Sequence, residues 1–434
     1  MARTEEVALG QVRDLLRDFP AFEFDVVAHL QSMRHGTWLR KAWTRTRAAR
    51  DRLTPEHLVA STDDLRRRIP GYRGLPPVRT LDDIPLLTSQ RLRADSLLFI
   101  DPAETDESLV MTTTSGTTGP SLRVLYTQHF HLRELFLAVP TALVRAGLDH
   151  LLATPFLTLH VTDSTRATAQ VFSDPAGLFG LQARVPVAVG DPASVDRTLA
   201  MIEEFKPAAV TSRPELLGAL LHTVRRRQGR NPFASVGCLV SSGSTLTPTL
   251  RADLSGLLGL PLVELYALTE TGLTAAACPQ AALHVEPSVV AETLADGTIV
   301  LSSLANAAMP ILRYDSGDRG RLDDGCPCGS STPRLALAPG RVVPCFHWPT
   351  GELFVPTALH DVFERFSVRE FRVVQVSPDR LEITIEPATA APPTLTADVA
   401  AAVTAMLPTS VTVAVSASDL PAGRPNDRYR SELA

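Results

Sequence analysis

The segment with the clearest chemical use is Thr112-Thr113-Thr114-Ser115-Gly116-Thr117-Thr118-Gly119. Glycines let a backbone bend where a Cβ would clash, and hydroxyls with backbone N–H groups can then surround an anion. Thr114, Ser115, Gly116, Thr117, Thr118 and Gly119 therefore suit a phosphate, although the same composition suits a plain Ser/Thr/Gly hairpin connection. The loop is not of the Walker type, because no Gly-Lys-Ser/Thr stands at the required spacing, and the chain has no Rossmann glycine fingerprint. A second constellation is built from sulfur and imidazole. Cys278 lies six residues before His284, and Cys326 two before Cys328. Three thiols and one imidazole suit a tetrahedral structural Zn²⁺. Cys-x-Cys is tighter than the common Cys-x₂-Cys, so this spacing equally suits unrelated buried thiols. Cys238 stands in an apolar run and reads as core, and Cys345 has no assigned role.

These residues need elements to position them. From about 105 to 335, β-rich apolar runs (109–113, 123–127, 208–211, 237–241, 262–266) alternate with amphipathic helical stretches (132–145, 195–205, 215–226). Such alternation predicts an α/β architecture with helix-covered β-sheets. Residues 1–100 read as helices with basic faces. After about 340 the pattern changes to a helix at 358–365, strands at 370–376 and 380–386, a Pro-rich stretch, a helix at 396–406 and a strand at 411–415. The expectation is a large N-terminal domain, 1–340, followed by a small α+β C-terminal domain, 341–434.

Composition bounds the function. With 434 residues and a net charge of −5, the chain can hold two or three domains at about 150 residues each. Hydrophobic residues make 44% and charged residues 21%, which excludes general disorder. Mild acidity argues against a nucleic-acid-coating protein. No segment reaches the roughly 18 apolar residues of a membrane span. The N-terminus lacks a signal peptide's apolar block and the five cysteines are odd in number, which predicts reduced thiols and a cytoplasmic location. Only Lys41 and Lys206 are lysines among 42 basic residues, in keeping with a chain rich in Ala, Arg, Leu and Pro. Any chemistry that needs a lysine has two candidates.

The Ser/Thr/Gly loop resembles the Ser-Gly-Thr-Thr-Gly-Lys-Pro signature of the adenylate-forming superfamily, which includes acyl-CoA synthetases, adenylation domains and luciferases. Two further segments follow in the family's order. Glu264-Leu265-Tyr266-Ala267-Leu268-Thr269-Glu270 resembles Tyr-Gly-x-Thr-Glu, and Arg313-Tyr314-Asp315-Ser316-Gly317-Asp318 resembles Arg-Tyr-x-Thr-Gly-Asp. The phenylacetate–CoA ligase-like branch is the best match, through Tyr126-Thr127, Pro310–Tyr314 and Cys326–Gly329. The resemblance spans nearly all of the chain except the first helices.

The resemblance implies the roles. Glu270 would hold Mg²⁺ against phosphate oxygens of ATP, and Thr117, Thr118 and Thr269 would donate to phosphates. Asp318 would accept from the ribose hydroxyls, and Tyr266 would lie against the adenine. Ser242, Gly243, Ser244, Glu264, Leu265, Arg313 and Arg341 complete the implied nucleotide site, although Arg313 equally suits a structural ion pair. The acid pocket is expected between the phosphate loop, Ser242–Ser244 and the 267–272 stretch, with Ala267, Thr271 and Gly272 lining it and Phe136, His160 and Ser212 as further candidates. A metal at Cys278, His284, Cys326 and Cys328 is also implied, forming an insert near 278–328. Relatives are often dimers, which makes a homodimer an expectation.

The chain departs from the family at cationic and hinge positions. Pro120 follows the phosphate loop where the lysine would stand, and Val343 and Pro344 replace both aspartates of the hinge that begins at Gly340-Arg341. Proline restricts the rotation that such a hinge performs. The C-terminal lysine is absent, because no lysine follows Lys206; Arg428 is the first candidate to replace it and Arg424 the second. Arginine keeps the charge but is a planar fork rather than a point charge. The implied function is ATP-dependent activation of a small, aromatic carboxylic acid as its acyl-adenylate. The acid then passes to CoA or to an amine or hydroxyl acceptor, in a specialised biosynthetic role. The competing reading is a catalytically impaired homologue that binds nucleotide or acyl-adenylate and delivers it to a partner.

Overall fold

The computed structural model describes residues 22–48, 52–104, 109–113, 122–152, 156–162, 167–173, 179–188, 191–226, 231–338, 345–350, 353–354, 356–366, 368–387, 391–420 and 429–433. It opens on a short strand, β1 (Phe22–Phe24), followed by helices α1 (Val26–Arg34), α2 (Gly36–Ala48), α3 (Pro55–Arg68) and α4 (Ser89–Ala94). β1 corrects the all-helical expectation for the first hundred residues. It pairs parallel with Ala167–Ser173, a long-range partner that local periodicity does not reveal.

β2 (Val110–Thr113) and β3 (Arg123–Tyr126) pair antiparallel. The connection between them carries Thr114, Ser115, Gly116, Thr117, Thr118 and Gly119, all of which lie outside the described residues. Helix α5 (Gln128–Arg145) begins directly after β3, because the Thr127 hydroxyl caps it by accepting the Phe130 N–H at 3.2 Å. Asn306 clamps this junction: its side chain accepts the Thr127 N–H at 3.2 Å and donates to the Leu125 carbonyl at 2.8 Å.

The next elements are β4 (Phe156–Thr162), β5 (Ala167–Ser173), β6 (Phe179–Pro186), α6 (Pro192–Phe205), β7 (Ala209–Ser212), α7 (Pro214–Arg226), β8 (Cys238–Ser241), α8 (Pro248–Leu258) and β9 (Leu262–Leu268). In space β6, β4, β7, β8 and β9 lie side by side and parallel. Parallel neighbours require crossovers, and the two central strands β7 and β8 are buried at every residue. Leu159, Val210 and Leu239 of the strands meet Leu199, Ile202, Leu220 and Leu254 of the helices in one core. Lys206 has φ +47° and caps the end of α6, so one of the two lysines has a turn role.

Beyond β9 the sheet becomes antiparallel. β10 (Gly272–Ala277), β11 (Leu283–Val285), β12 (Val289–Thr293), β13 (Thr298–Ser303), β14 (Ile311–Asp323) and β15 (Arg334–Leu337) extend it in the order β9-β10-β11-β15-β14-β13-β12. A smaller unit follows with its own core. It contains β16 (Phe346–His347), β17 (Leu353–Phe354), α9 (His360–Arg365), β18 (Val368–Ser377), β19 (Arg380–Pro387), α10 (Leu395–Thr404), β20 (Thr412–Ala417) and β21 (Tyr429–Ser431). Four of these strands form a sheet in the order β20-β19-β18-β21, packed on Phe346, Phe363, Phe371, Ile383 and Val399. The architecture is thus α/β with a large N-terminal part and a smaller α+β C-terminal part. The boundary expected at 340/341, together with Arg341, Val343 and Pro344, lies outside the described residues. Among the described residues no helix is long and apolar enough to cross a membrane.

Candidate functional site

In open parallel sheets, ligands bind outside the carboxyl ends of the strands. Here β7 ends at Ser212, β8 runs into Ser242-Gly243-Ser244, and β9 runs into Thr269-Glu270. The Ser242 N–H donates to the Ser212 carbonyl at 3.1 Å, so the first two ends meet directly. Gly243 has φ +87°, which bends the chain out of β8.

Thr269, Glu270 and Thr271 form the tight connection between β9 and β10, where Leu268 pairs with Gly272. Glu270 is 6% exposed. The Tyr314 phenol donates to its Oε1 at 2.6 Å, and the Tyr126 phenol donates to the Thr269 carbonyl. Burial raises the Glu270 pKa above its ordinary value, and the Tyr314 hydrogen bond offsets part of that rise. Arg93 of α4 and Asp318 are both close enough to shift Glu270 electrostatically, in opposite directions. Burial still outweighs these favourable contacts, so a cation beside Glu270 would stabilise its charged form.

Tyr266 and Asp318 form the second half of the site. β14 is irregular against β13, with a register shift between Thr298 and Val300. Within that irregularity Gly317 has φ +77°, and the Ser316 hydroxyl accepts the Asp318 N–H at 3.2 Å while donating to the Ile299 carbonyl at 2.7 Å. The bulge aims Asp318 at β9, where the Tyr266 phenol donates to its Oδ2 at 2.7 Å. Burial, then the Asp318 charge, keep the Tyr266 phenol protonated far above neutral pH.

Four expected residues, Tyr266, Thr269, Glu270 and Asp318, therefore converge. Others take different places. Arg313 is a structural staple: it has φ +42°, donates to the Ile84 carbonyl at 2.8 Å, and pairs with Glu292 at 3.2 Å and Asp82 at 3.3 Å. This fixes the strand under Tyr314, and the Leu87 N–H adds a bond to the Arg313 carbonyl at 2.9 Å. Glu264 is paired with Arg251 of α8, and the Leu265 side chain lies in the core. Phe136 is 2% exposed and faces Leu39 and Trp43 of α2, so it packs α5 against the N-terminal helices rather than lining a pocket. His160 Nδ1 is bonded to the Thr211 hydroxyl at 2.7 Å, and the Ser212 hydroxyl donates to the Val161 carbonyl at 2.7 Å, both within the sheet. Ser244 donates to the Glu215 carboxylate. Thr271 bonds Thr274 at 2.8 Å, Gly272 has φ +70°, and Ala267 is exposed. Arg424 and Arg428 lie outside the described residues. Sequence reasoning missed Arg93 and gave no role to Tyr126 or Tyr314, although both tyrosines stand inside matched motifs.

The sulfur–imidazole constellation does assemble. Cys278 follows β10, His284 lies on β11, and Cys326 and Cys328 lie in the turn between β14 and β15. Their four ligating atoms all lie within 4.8 Å of one another. Cys278 Sγ and Cys326 Sγ are 3.8 Å apart, and Cys328 Sγ is 3.4 Å from His284 Nε2. A tetrahedral zinc with Zn–S of about 2.3 Å has edges of about 3.8 Å, so the set fits such an ion. The His284 Nδ1–H donates to the Thr332 carbonyl at 2.9 Å, which fixes the tautomer and leaves the Nε2 lone pair inward. The Cys326 thiol is pulled down to about 6, chiefly by the Cys328 backbone N–H and then by His284.

Comparison with known proteins gives three similarities. The model of the AMP-binding enzyme family matches residues 77–291. Phenylacetate-coenzyme A ligase of Thermus thermophilus is 27% identical over 324 residues, covering 67% of this chain and 69% of the relative. Among solved structures, 2-hydroxyisobutyryl-CoA ligase with 2-HIB-AMP and CoA, in the thioesterification state, superposes with a TM-score of 0.56 at 19% identity, over 91% of this chain and 89% of that one. The open conformation of the same ligase gives a TM-score of 0.51 at 19% identity, over 85% and 89%. Residues 77–291 thus match an AMP-binding enzyme family model, the chain is similar to a phenylacetate–CoA ligase, and it shares the fold of 2-hydroxyisobutyryl-CoA ligase.

Proposed function

We propose that this protein is an ATP-dependent acid ligase that activates a small, aromatic carboxylic acid as its acyl-adenylate and passes it to CoA. The observation that carries the reading is the convergence of two carboxylates, each held by one tyrosine phenol: Glu270 just beyond the carboxyl end of β9, and Asp318 on the bulge of the antiparallel strand β14. Joining a carboxylate to the α-phosphate of ATP brings two anions together, so it needs a cation and donors. Bound magnesium supplies charge neutralisation at the phosphates. Glu270 would be the residue to hold it, and its burial with a pKa raised above the ordinary value supports that role. Thr269 would donate to phosphate and Asp318 would accept from the ribose, and the Thr114–Gly119 segment has the composition to bind phosphate. The aromatic acid is supported by the named relative, a phenylacetate–CoA ligase.

Cys278, His284, Cys326 and Cys328 hold a structural zinc in this reading, since four protein ligands leave no open position for catalysis. Arg428 or Arg424 supplies the positive charge where the family has lysine. Losing one such contact costs about 2.7–4 kcal/mol, or roughly 10²–10³ in rate, so the exchange slows adenylation without abolishing it.

ATP–pyrophosphate exchange over a panel of aryl acids, with and without CoA, tests the reading. Exchange with at least one acid is expected, followed by thioester formation. Product formed equally well without CoA replaces CoA by an amine or hydroxyl acceptor. No exchange with any acid favours a binding homologue that delivers an adenylate made elsewhere. Equal exchange in wild type and Arg428→Ala removes Arg428 as the lysine's replacement.

A further inference from the structure

We propose that Glu134 of α5 is a positioning residue that sets the Thr269–Gly272 turn, and through it the place of the Glu270 carboxylate. The proposal rests on the reading of Glu270 as the magnesium carboxylate. The turn is tied at three points. Tyr126 holds the Thr269 carbonyl and Tyr314 holds the Glu270 side chain. The third tie comes from Glu134, whose Oε2 accepts the Leu273 N–H at 2.7 Å. The β9–β10 register shifts between Leu273 and Ala275, and at that irregularity the Leu273 N–H turns to the carboxylate.

The geometry of the turn is built around this group. A Cβ on Gly272 would stand 2.5 Å from the Glu134 carboxyl carbon and 2.7 and 2.8 Å from its oxygens. With φ +70° as well, position 272 admits only glycine while Glu134 is in place. Glu134 is itself fixed. Its Oε1 accepts from Arg133 Nε at 2.9 Å and Nη2 at 2.7 Å, and the Arg133 guanidinium lies 4.8 Å from the centre of the Phe130 ring. Arg133 neutralises the charge, so a second carboxylate can stand beside the Glu270 turn without repelling the phosphates. Both α5 and the phosphate-loop hairpin meet at Thr127, so one rigid junction carries the Glu134 tie and the strand that leaves the loop.

Calorimetric titration of wild type, Glu134→Gln and Glu134→Ala with ATP, once with magnesium and once with EDTA, tests the proposal. Glu134→Ala is expected to weaken binding of the magnesium nucleotide by about tenfold, the usual scale for a lost charged hydrogen bond, while metal-free ATP stays within about twofold. Glu134→Gln keeps an acceptor for the Leu273 N–H and stays within about threefold of wild type in both titrations. Gly272→Ala places a methyl where the carboxylate stands and should lose the magnesium preference as Glu134→Ala does, which keeps the test decisive if that variant does not fold. A wild type that prefers the magnesium nucleotide, with Glu134→Ala or Gly272→Ala keeping the same preference, overturns this proposal alone. Equal losses with and without metal also overturn it, because they report general damage. A wild type with no magnesium preference overturns the reading of Glu270 and this proposal with it.

Discussion

The Tyr314 phenol donates to Glu270 Oε1 at 2.6 Å, so the residue that follows the staple Arg313 holds the carboxylate at the end of β9. The two belong to motifs 44 residues apart in sequence. Their meeting explains why Arg313 is locked by Ile84, Asp82 and Glu292: the staple places its neighbour's ring.

Tyr314→Phe should therefore damage the site without emptying it. Hydrogen bonds to charged groups contribute about 1.5–3 kcal/mol, so kcat/KM for magnesium ATP in pyrophosphate exchange should fall roughly 10- to 100-fold. A variant with wild-type kcat/KM would show that Glu270 is placed by other means.

The pH dependence follows from the direction of the Glu270 shift. Burial raises its pKa above the ordinary 4.5. Protonated Glu270 cannot hold a divalent cation, so magnesium-nucleotide affinity should decline as pH falls, with a midpoint above 4.5. The Tyr314 bond favours the charged form, so Tyr314→Phe should move that midpoint further up. Binding measured across pH on both proteins checks the sign, and a downward move contradicts it.

Tyr266→Phe and Asp318→Asn should each raise the KM for ATP, and the double variant should lose less than the sum. A coupling energy of about 0.5–3 kcal/mol is expected for groups in direct contact. Full additivity would mean that the 2.7 Å bond does not operate during turnover.

Metal analysis of purified protein should find about one zinc per chain. Cys328→Ser, or extraction with a strong chelator, should lower the melting temperature by more than about 5 °C, since the ion would join the β10–β11 and β14–β15 turns. Under half an equivalent of zinc in the native protein removes the assignment.

The amino-acid sequence alone pointed to the α/β class, and its motifs singled out Glu270, Asp318 and the set Cys278, His284, Cys326 and Cys328 that the fold brings together. The class follows from local periodicity and the candidate residues from motif resemblance, both of which the chain carries in one dimension. Only the tertiary structure decided how the groups pair. Glu134 reaches Leu273 across 139 residues and Tyr266 reaches Asp318 across 52, contacts made when α5 and a bulged β14 pack on the sheet. The same packing moved Phe136 into the core beside Trp43, turned Arg313 from a ligand candidate into a staple, and recruited β1 to the sheet edge. Periodicity shows that a face is buried, but not against what, because the partner comes from a distant part of the chain.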